Sequence, residues 1–192
     1  MAIAHPVTRF DLDRDVRTLE AMATRLTPYV YENELYGLMP GDLPKLTVGG
    51  FLMRLERLSA VRDKLTQKQQ DAVTAAKSKA EELRTKWTVA YEGKITREFQ
   101  ARLTALNQFL SECAENPEAC ADNYSSSVEK RVIAEALADE ANHLSVFSDE
   151  MKSGLAVVDN KLRRYSEAGD FIWDERLRAA YPRHKYWFLY VK

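Results

Sequence analysis

The chain has 192 residues, with 28 basic and 29 acidic side chains, 45% hydrophobic residues and 30% charged residues. This composition excludes an intrinsically disordered chain, and the near-zero net charge argues against a strongly basic nucleic-acid binder as a whole molecule. No apolar run approaches the roughly 20 residues of a membrane span, so no membrane partner is expected.

The N-terminal half begins without the features of an export signal. Met1–Pro6 lacks a basic start and an apolar core, which predicts a cytoplasmic protein. A helix is predicted from about 12 to 36, with a kink at Pro28. Six of the thirteen Gly and Pro residues then fall between 37 and 50, which predicts a long loop. Gly49-Gly50 at its end is either a turn or a pair of free amides that could hold an anion.

Two helices are predicted after this loop, over 48–65 and 67–114. Thr66 and Gln69 form a capping-box pattern that indicates a new helix start, although no Gly or Pro enforces a break and one continuous helix stays open. Heptad spacing runs from Val73 to Trp87, and steps of four follow. Gly93, within the second pattern, marks a kink or a close helix approach.

A fourth helix is predicted over 126–168, opened by a capping box at Ser126–Glu129. The short loop 115–125 would make it antiparallel to 67–114, and the two helices would be about 64 and 72 Å long at 1.5 Å per residue. The predicted fold class is therefore all-α, an elongated antiparallel helical bundle over 1–170 built on a long coiled-coil-like hairpin.

Cysteine and histidine are too few for an obvious metal centre. Cys113 and Cys120 flank Asn116-Pro117 and could form a local disulfide, but in a reducing cytoplasm we expect free thiols. Glu140 and His143 share a helix face as metal ligands do, yet no second Glu-x-x-His accompanies them. We therefore predict no metal and no cofactor.

The C-terminal segment 171–192 is strongly aromatic, and we call it the tail. It is predicted to hold a short helix over 174–180 and an extended segment over 184–191. A lone strand has no sheet to join in an all-α chain, so the tail either packs across its own bundle or pairs with another chain. The predicted partner-binding residues are Phe171, Trp173, Tyr181, Tyr186, Trp187, Phe188 and Tyr190.

Charge is distributed in blocks along the chain. Residues 50–110 hold twelve basic and seven acidic side chains, whereas 111–150 hold two and ten. A solvated, internally paired bundle explains this pattern, and a basic face over 54–102 that contacts nucleic acid is the alternative. The candidate nucleic-acid-binding residues are Arg54, Arg57, Lys77, Lys79, Arg84, Lys86, Lys94, Arg97 and Arg102.

No phosphate loop, dinucleotide fingerprint, zinc-protease motif or nucleophile elbow occurs, so we predict no catalytic residues and no enzyme. The expected function is a helical scaffold, adaptor or accessory subunit of a larger assembly, which binds a protein partner or itself. The tail and the loop 37–50 are the expected contact elements. The alternative is a nucleic-acid-binding accessory subunit.

Overall fold

The computed structural model describes residues 10–191, and 73% of the structure is helical. This confirms the all-α class. Three short 3-10 turns and one small two-stranded sheet accompany the α-helices in the described residues. The α-helices are α1 (Leu12–Tyr31), α2 (Val48–Ala60), α3 (Gln67–Lys86), α4 (Thr88–Glu115), α5 (Pro117–Ser127), α6 (Glu129–His143) and α7 (Asp149–Leu162), and the strands are β1 (Ala168–Phe171) and β2 (Tyr190–Val191).

Helix α1 begins at a side-chain cap and ends earlier than predicted. The Asp11 carboxylate accepts a hydrogen bond from the backbone N–H of Arg14 at 2.9 Å, which satisfies one of the free amides at the helix start. Glu32 is extended, so the helix stops at Tyr31, and the predicted end at 36 is wrong. Pro28 lies within the last turn, where it removes one backbone donor.

At the start of α2, the two amides of Gly49 and Gly50 each bind an acceptor of the protein itself, and one of these acceptors is an anion. The Thr47 hydroxyl accepts from the N–H of Gly50 at 2.9 Å, and the buried Glu98 carboxylate of α4 accepts from the N–H of Gly49 at 2.7 Å. A Cβ on Gly49 would lie 2.5 Å from the Ile133 side chain and 2.9 Å from Glu98. Only glycine therefore allows α2 to approach α4 and α6 this closely.

The predicted helix 67–114 is two helices that meet at a bend. The Thr66 capping box is confirmed and starts α3, and Trp87 separates α3 from α4. Trp87 leaves helical geometry (φ −126°, ψ 26°), although its N–H still bonds to Leu83. The bend falls where the apolar spacing changes from heptads to steps of four. Gly93 lies within α4, and the close helix approach that was one of its two predicted roles is wrong, because a Cβ at this position would meet no atom of the described residues within 4 Å.

The predicted helix 126–168 and the predicted loop 115–125 are also wrong, because three helices occupy this region. Asn116 caps α5 through the N–H of Ala119, with Pro117 in the first turn. Ser126 lies in the last turn of α5, so it does not form the predicted capping box. A break follows α6 at Ser145, which has a positive φ of 61°, and Ser148 caps α7.

Helix α4 is the centre of the bundle, and the predicted antiparallel hairpin is formed by α4 with α5 and α6. Tyr91 near the start of α4 donates to Glu140 near the end of α6 at 3.0 Å. Helix α7 runs parallel to α4, since Gly154 and Lys161 face Leu103 and Asn107 in the same order. The hairpin is therefore built from kinked and shortened helices instead of two uninterrupted ones.

A disulfide joins Cys113 at the end of α4 to Cys120 in α5, so the prediction of free thiols is wrong. Both side chains are buried. The cap at Asn116 and the first-turn Pro117 turn the chain back on itself, and this brings the two sulfur atoms together. The bond therefore fixes the turn of the hairpin.

We expect this disulfide to stabilise the fold measurably. Closing a loop of eight residues removes enough unfolded-state entropy to contribute about 2.5 kcal/mol. Guanidinium unfolding with and without reductant should show a loss of about that size. The Cys113→Ser/Cys120→Ser variant should be as stable as the reduced protein, and reductant should not change its unfolding curve. An unfolding curve that reductant leaves unchanged, with two titratable thiols, would contradict the assignment.

The tail packs on its own bundle, which is the first of the two predicted arrangements. Its last residues do not stay a lone strand, because β2 pairs antiparallel with β1 and Phe171 lies opposite Tyr190. The predicted short helix is a 3-10 turn at Glu175–Ala180, and the predicted extended segment is mostly non-strand, with a second 3-10 turn at Trp187–Leu189. Strand β1 begins at Ala168, the last residue of the predicted helix 126–168.

Hydrogen bonds and ring contacts hold the tail against α5 and α6. Tyr124 of α5 donates to the backbone carbonyl of Phe188 at 3.0 Å, and the Trp173 indole donates to the carbonyl of Ser125 at 3.1 Å. The Arg131 guanidinium lies 4.9 Å above the Phe188 ring. The tail residues from 171 to 191 therefore contribute to the core.

Candidate interaction surface

Most of the large apolar side chains that remain exposed to solvent in residues 10–191 belong to three segments of the chain. The described residues contain five such exposed side chains, and four of them belong to the end of α1, the following loop and the first turn of α4. We call these four the exposed apolar surface: Tyr31 (55% exposed), Tyr36 (45%), Leu38 (76%) and Val89 (84%). Tyr31 and Val89 line one depression, whereas Tyr36 lies against Arg102, which is thirteen residues, or about 20 Å, further along α4 than Val89. Exposed apolar side chains that are not scattered singly over a protein are candidates for a binding site.

The loop that carries Tyr36 and Leu38 is fixed to α4 by cations. Lys94 is buried, lies 3.8 Å above the Tyr29 ring and donates to the carbonyl of Glu34. Arg97 donates to the carbonyl of Asn33 at 3.2 Å. Burial lowers the pKa of the Lys94 ammonium. The loop backbone is thus held in place, while Leu38 is largely exposed and the half-exposed Tyr36 ring lies 5.6 Å from the Arg102 guanidinium of α4.

The bend between α3 and α4 forms the other end of this surface. Tyr31 packs edge-on against Trp87, with ring centroids 5.2 Å apart. Both rings and Val89 line a shallow depression of about 550 Å³. The Trp87 indole N–H is buried and has no hydrogen-bond acceptor among residues 10–191. An unmatched donor of this kind is rare in proteins.

Charges of both signs surround the apolar side chains. Glu32, Glu34, Lys86 and Arg97 are all exposed beside them. A phosphate-binding surface would present mainly cations, whereas a protein interface has an apolar centre and a mixed polar border.

The structure places most predicted partner-binding residues inside the protein. Phe171, Tyr181, Tyr186, Phe188 and Tyr190 are buried, and edge-to-face contacts at 5.0–6.1 Å connect Tyr181, Tyr186 and Phe188. These five rings therefore offer no free surface in the described chain. The remaining two, Trp173 and Trp187, are partly exposed.

The nine candidate nucleic-acid-binding cations do not form one exposed face. Within the described chain, six are in ion pairs with carboxylates: Arg54 and Arg57 with Asp15, Lys79 and Lys86 with Glu82, Arg84 with Glu81 and Glu140, and Arg102 with Glu98. Lys94 is buried, and Arg97 binds a loop carbonyl. Of the nine, Lys77 is exposed without a role that the structure assigns.

Glu140 and His143 are not brought together as ligands. Glu140 is buried and accepts two hydrogen bonds from Arg84, both at 2.6 Å, whereas His143 is exposed at the end of α6. Across residues 10–191, no group of three or more His, Cys, Asp and Glu side chains could hold a metal ion. In the same residues, no helix has both the length and the apolar character needed to cross a bilayer.

Sequence reasoning missed Tyr31, Tyr36 and Val89 as surface residues, and it included Leu38 only through the loop 37–50. The available clue was the set of large apolar residues in and beside a loop rich in Gly and Pro. Val89 lies off the apolar steps of four, whose members from Tyr91 to Leu103 are buried, so the periodicity of α4 also indicated its exposure.

The protein is an all-α helical bundle, and most of the large apolar side chains exposed in residues 10–191 belong to the end of α1, the loop after it and the start of α4. Comparison with protein-family models, with curated proteins and with solved structures gives no match.

Proposed function

We propose that the protein is a non-enzymatic helical adaptor, or an accessory subunit of a larger assembly, that binds a protein partner through the exposed apolar surface. The observation that carries this proposal is that four of the five large apolar side chains exposed in residues 10–191 belong to the end of α1, the loop after it and the first turn of α4. The charges of both signs around these side chains also support a protein partner.

The contact region therefore moves from the tail to the start of the α1–α2 loop and the α3–α4 bend. The loop is anchored by Lys94 and Arg97, so little backbone order would be lost when a partner binds. The alternative of nucleic-acid binding has less support, because most of the cations from 54 to 102 are already neutralised or buried.

We also propose that the protein works in an oxidising environment instead of the predicted cytoplasm. The Cys113–Cys120 disulfide supports this location, since such bonds are rare in reducing compartments. Thiol labelling of the protein in intact host cells tests this location. If both cysteines are labelled as free thiols, the proposed location is wrong.

A double substitution of exposed residues tests the proposed surface. We expect Leu38→Asp/Val89→Asp to weaken partner binding or self-association by at least about tenfold, because two charges would enter an apolar interface at roughly 1.4 kcal/mol or more in total. Sedimentation of the pure protein and affinity capture from the host, with the captured protein identified and rebound in pure form, give the readout.

Val157→Asp is the matched control, because Val157 on α7 is the fifth exposed large apolar residue of the described part of the chain and is not one of these four. It should bind as the unmodified protein does, and all three proteins should unfold at similar denaturant concentrations. Equal binding by the double variant and the control would remove the proposal.

A further inference from the structure

A second candidate site lies away from the exposed apolar surface, in a cleft where the start of α1, α2, the α5–α6 junction and the tail meet. Its volume is about 520 Å³, which is within the range of small-molecule sites. Arg54, Arg57 and Asp15 are buried at this cleft, and Phe10 and Trp173 contribute apolar walls.

The buried charges at the cleft do not balance. Two guanidinium groups share one carboxylate: Arg57 forms a two-point ion pair with Asp15, while Arg54 Nε lies 3.3 Å from Asp15 Oδ1. Arg54 is 9% exposed, and its Nε has no acceptor in hydrogen-bonding geometry among the described residues. Arg54 thus has a buried donor without an acceptor, which is costly, and the nearest further carboxylate is Glu129, which acts on both guanidinium groups but forms no ion pair with either in the described residues.

The surroundings of Arg54 agree with this accounting. Burial, and next the neighbouring Arg57, lower the pKa of the Arg54 guanidinium. Its Nη1 donates to the backbone carbonyl of Gly50 at 2.8 Å, which orders the side chain but supplies no negative charge. An added anion would meet a cation that is already positioned.

The walls of the cleft carry the opposite charge. Two of the lining acids are neutralised, since Asp42 pairs with Arg14 and Asp174 pairs with Arg176. Glu129 and Asp11 are not in ion pairs in the described chain, although the Asp11 carboxylate caps α1. A ligand with several negative charges would be repelled by these two carboxylates, whereas a ligand with one anionic and one cationic group would match both parts.

We propose that the cleft binds a small zwitterion of the α-amino-acid type, including a short peptide with a free carboxylate. The ligand carboxylate pairs with Arg54, its ammonium group pairs with Glu129, and its side chain packs against Trp173 and Phe10. Three different surroundings in one cleft therefore correspond to the three parts of an amino acid. This site is independent of the proposed adaptor role.

The Trp173 indole N–H provides a local readout by NMR, because it donates to Ser125 at the edge of the cleft. The common L-α-amino acids are added one at a time at millimolar concentration to the full chain. The strongest binder is then compared with its deaminated analogue, its decarboxylated analogue and inorganic phosphate. We expect a saturable shift with the amino acid, about tenfold weaker binding of each analogue, and no saturable shift with phosphate.

Variants connect this readout to the proposed contacts. Arg54→Gln should weaken the carboxylate-bearing ligands at least about tenfold, and Glu129→Gln should remove the preference for the amino acid over its deaminated analogue. Arg62→Gln, in the exposed turn after α2, should change nothing. If Arg54→Gln does not fold, Glu129→Gln still tests the proposal because Glu129 is partly exposed. The absence of any saturable shift, tighter binding of phosphate, or equal binding by the Glu129→Gln variant would overturn it.

Discussion

Removing residues 171–192 should unfold the protein, not leave an intact bundle without a binding tail. Five buried aromatic rings and the strand β2 would be lost, and the carbonyl of Phe188 that accepts from Tyr124 would go with them. A single Phe188→Ala substitution should cost about 3–5 kcal/mol, because it empties a fully buried ring site. Native proteins usually have a free energy of unfolding of about 5–15 kcal/mol. We expect the loss of all five rings and of β2 to cost more than this.

Far-UV circular dichroism and guanidinium unfolding test this expectation. Trp187→Ala is the control within the tail, since Trp187 is partly exposed and its ring centroid lies 4.1 Å from the Arg163 guanidinium. This variant should lose clearly less free energy of unfolding than Phe188→Ala. A truncated protein that keeps its helicity and unfolds cooperatively would show that the tail is not part of the core.

Replacing Glu98 with alanine should be the most damaging single change of a charged residue in α4. Both carboxylate oxygens are used, one by the N–H of Gly49 at 2.7 Å and the other by Arg102 at 2.7 Å. Glu98→Ala leaves the α2 amide without its acceptor and Arg102 without its counter-charge. Breaking a buried pair in this way costs about 3–5 kcal/mol.

The measurement is the free energy of unfolding in guanidinium. Glu98→Gln keeps an oxygen acceptor for one of the two donors, so its free energy of unfolding should lie between that of the unmodified protein and that of Glu98→Ala. Glu92→Ala, at a partly exposed position of the same helix, should cost under about 1 kcal/mol. Equal stability of Glu98→Ala and Glu92→Ala would show that the Glu98 contacts do not support the α2–α4 junction.

Local chemistry in the sequence predicted the helix class and several helix starts. The Thr66–Gln69 capping box starts α3 as predicted, because both partners of a capping box are adjacent in sequence. Asn116-Pro117 and Ser148 are equally local start signals for α5 and α7, and they were available in the sequence. Apolar periodicity continues across each break, so it concealed them.

The bend at Trp87 and the pairing of Glu98 with Gly49 could not be predicted in the same way. Neither Gly nor Pro marks Trp87, and its conformation depends on packing against Tyr31 from a distant helix. The Gly49 amides were recognised as a possible anion site, but their anion is a side chain 49 residues away. Only the tertiary structure brings these groups together.

The site predictions from the tail illustrate a more general ambiguity. Aromatic and basic residues are enriched both in interface centres and in cores where cations stack on rings. In this chain Arg131 stacks on Phe188, so the tail composition indicated burial instead of partner contact. Exposure, which distinguishes the two cases, is not encoded in composition.

Photo-crosslinking from single positions tests the central proposal most directly. A photoreactive phenylalanine analogue is placed at Leu38 in one protein and at Val157 in another, and both are irradiated in the native host. The proposed adaptor role predicts that the protein with the analogue at position 38 forms an adduct of one defined mass. The protein with the analogue at position 157 should not form this adduct. No adduct from position 38, or the same adducts from both positions, would contradict the assignment of the exposed apolar surface as the binding site.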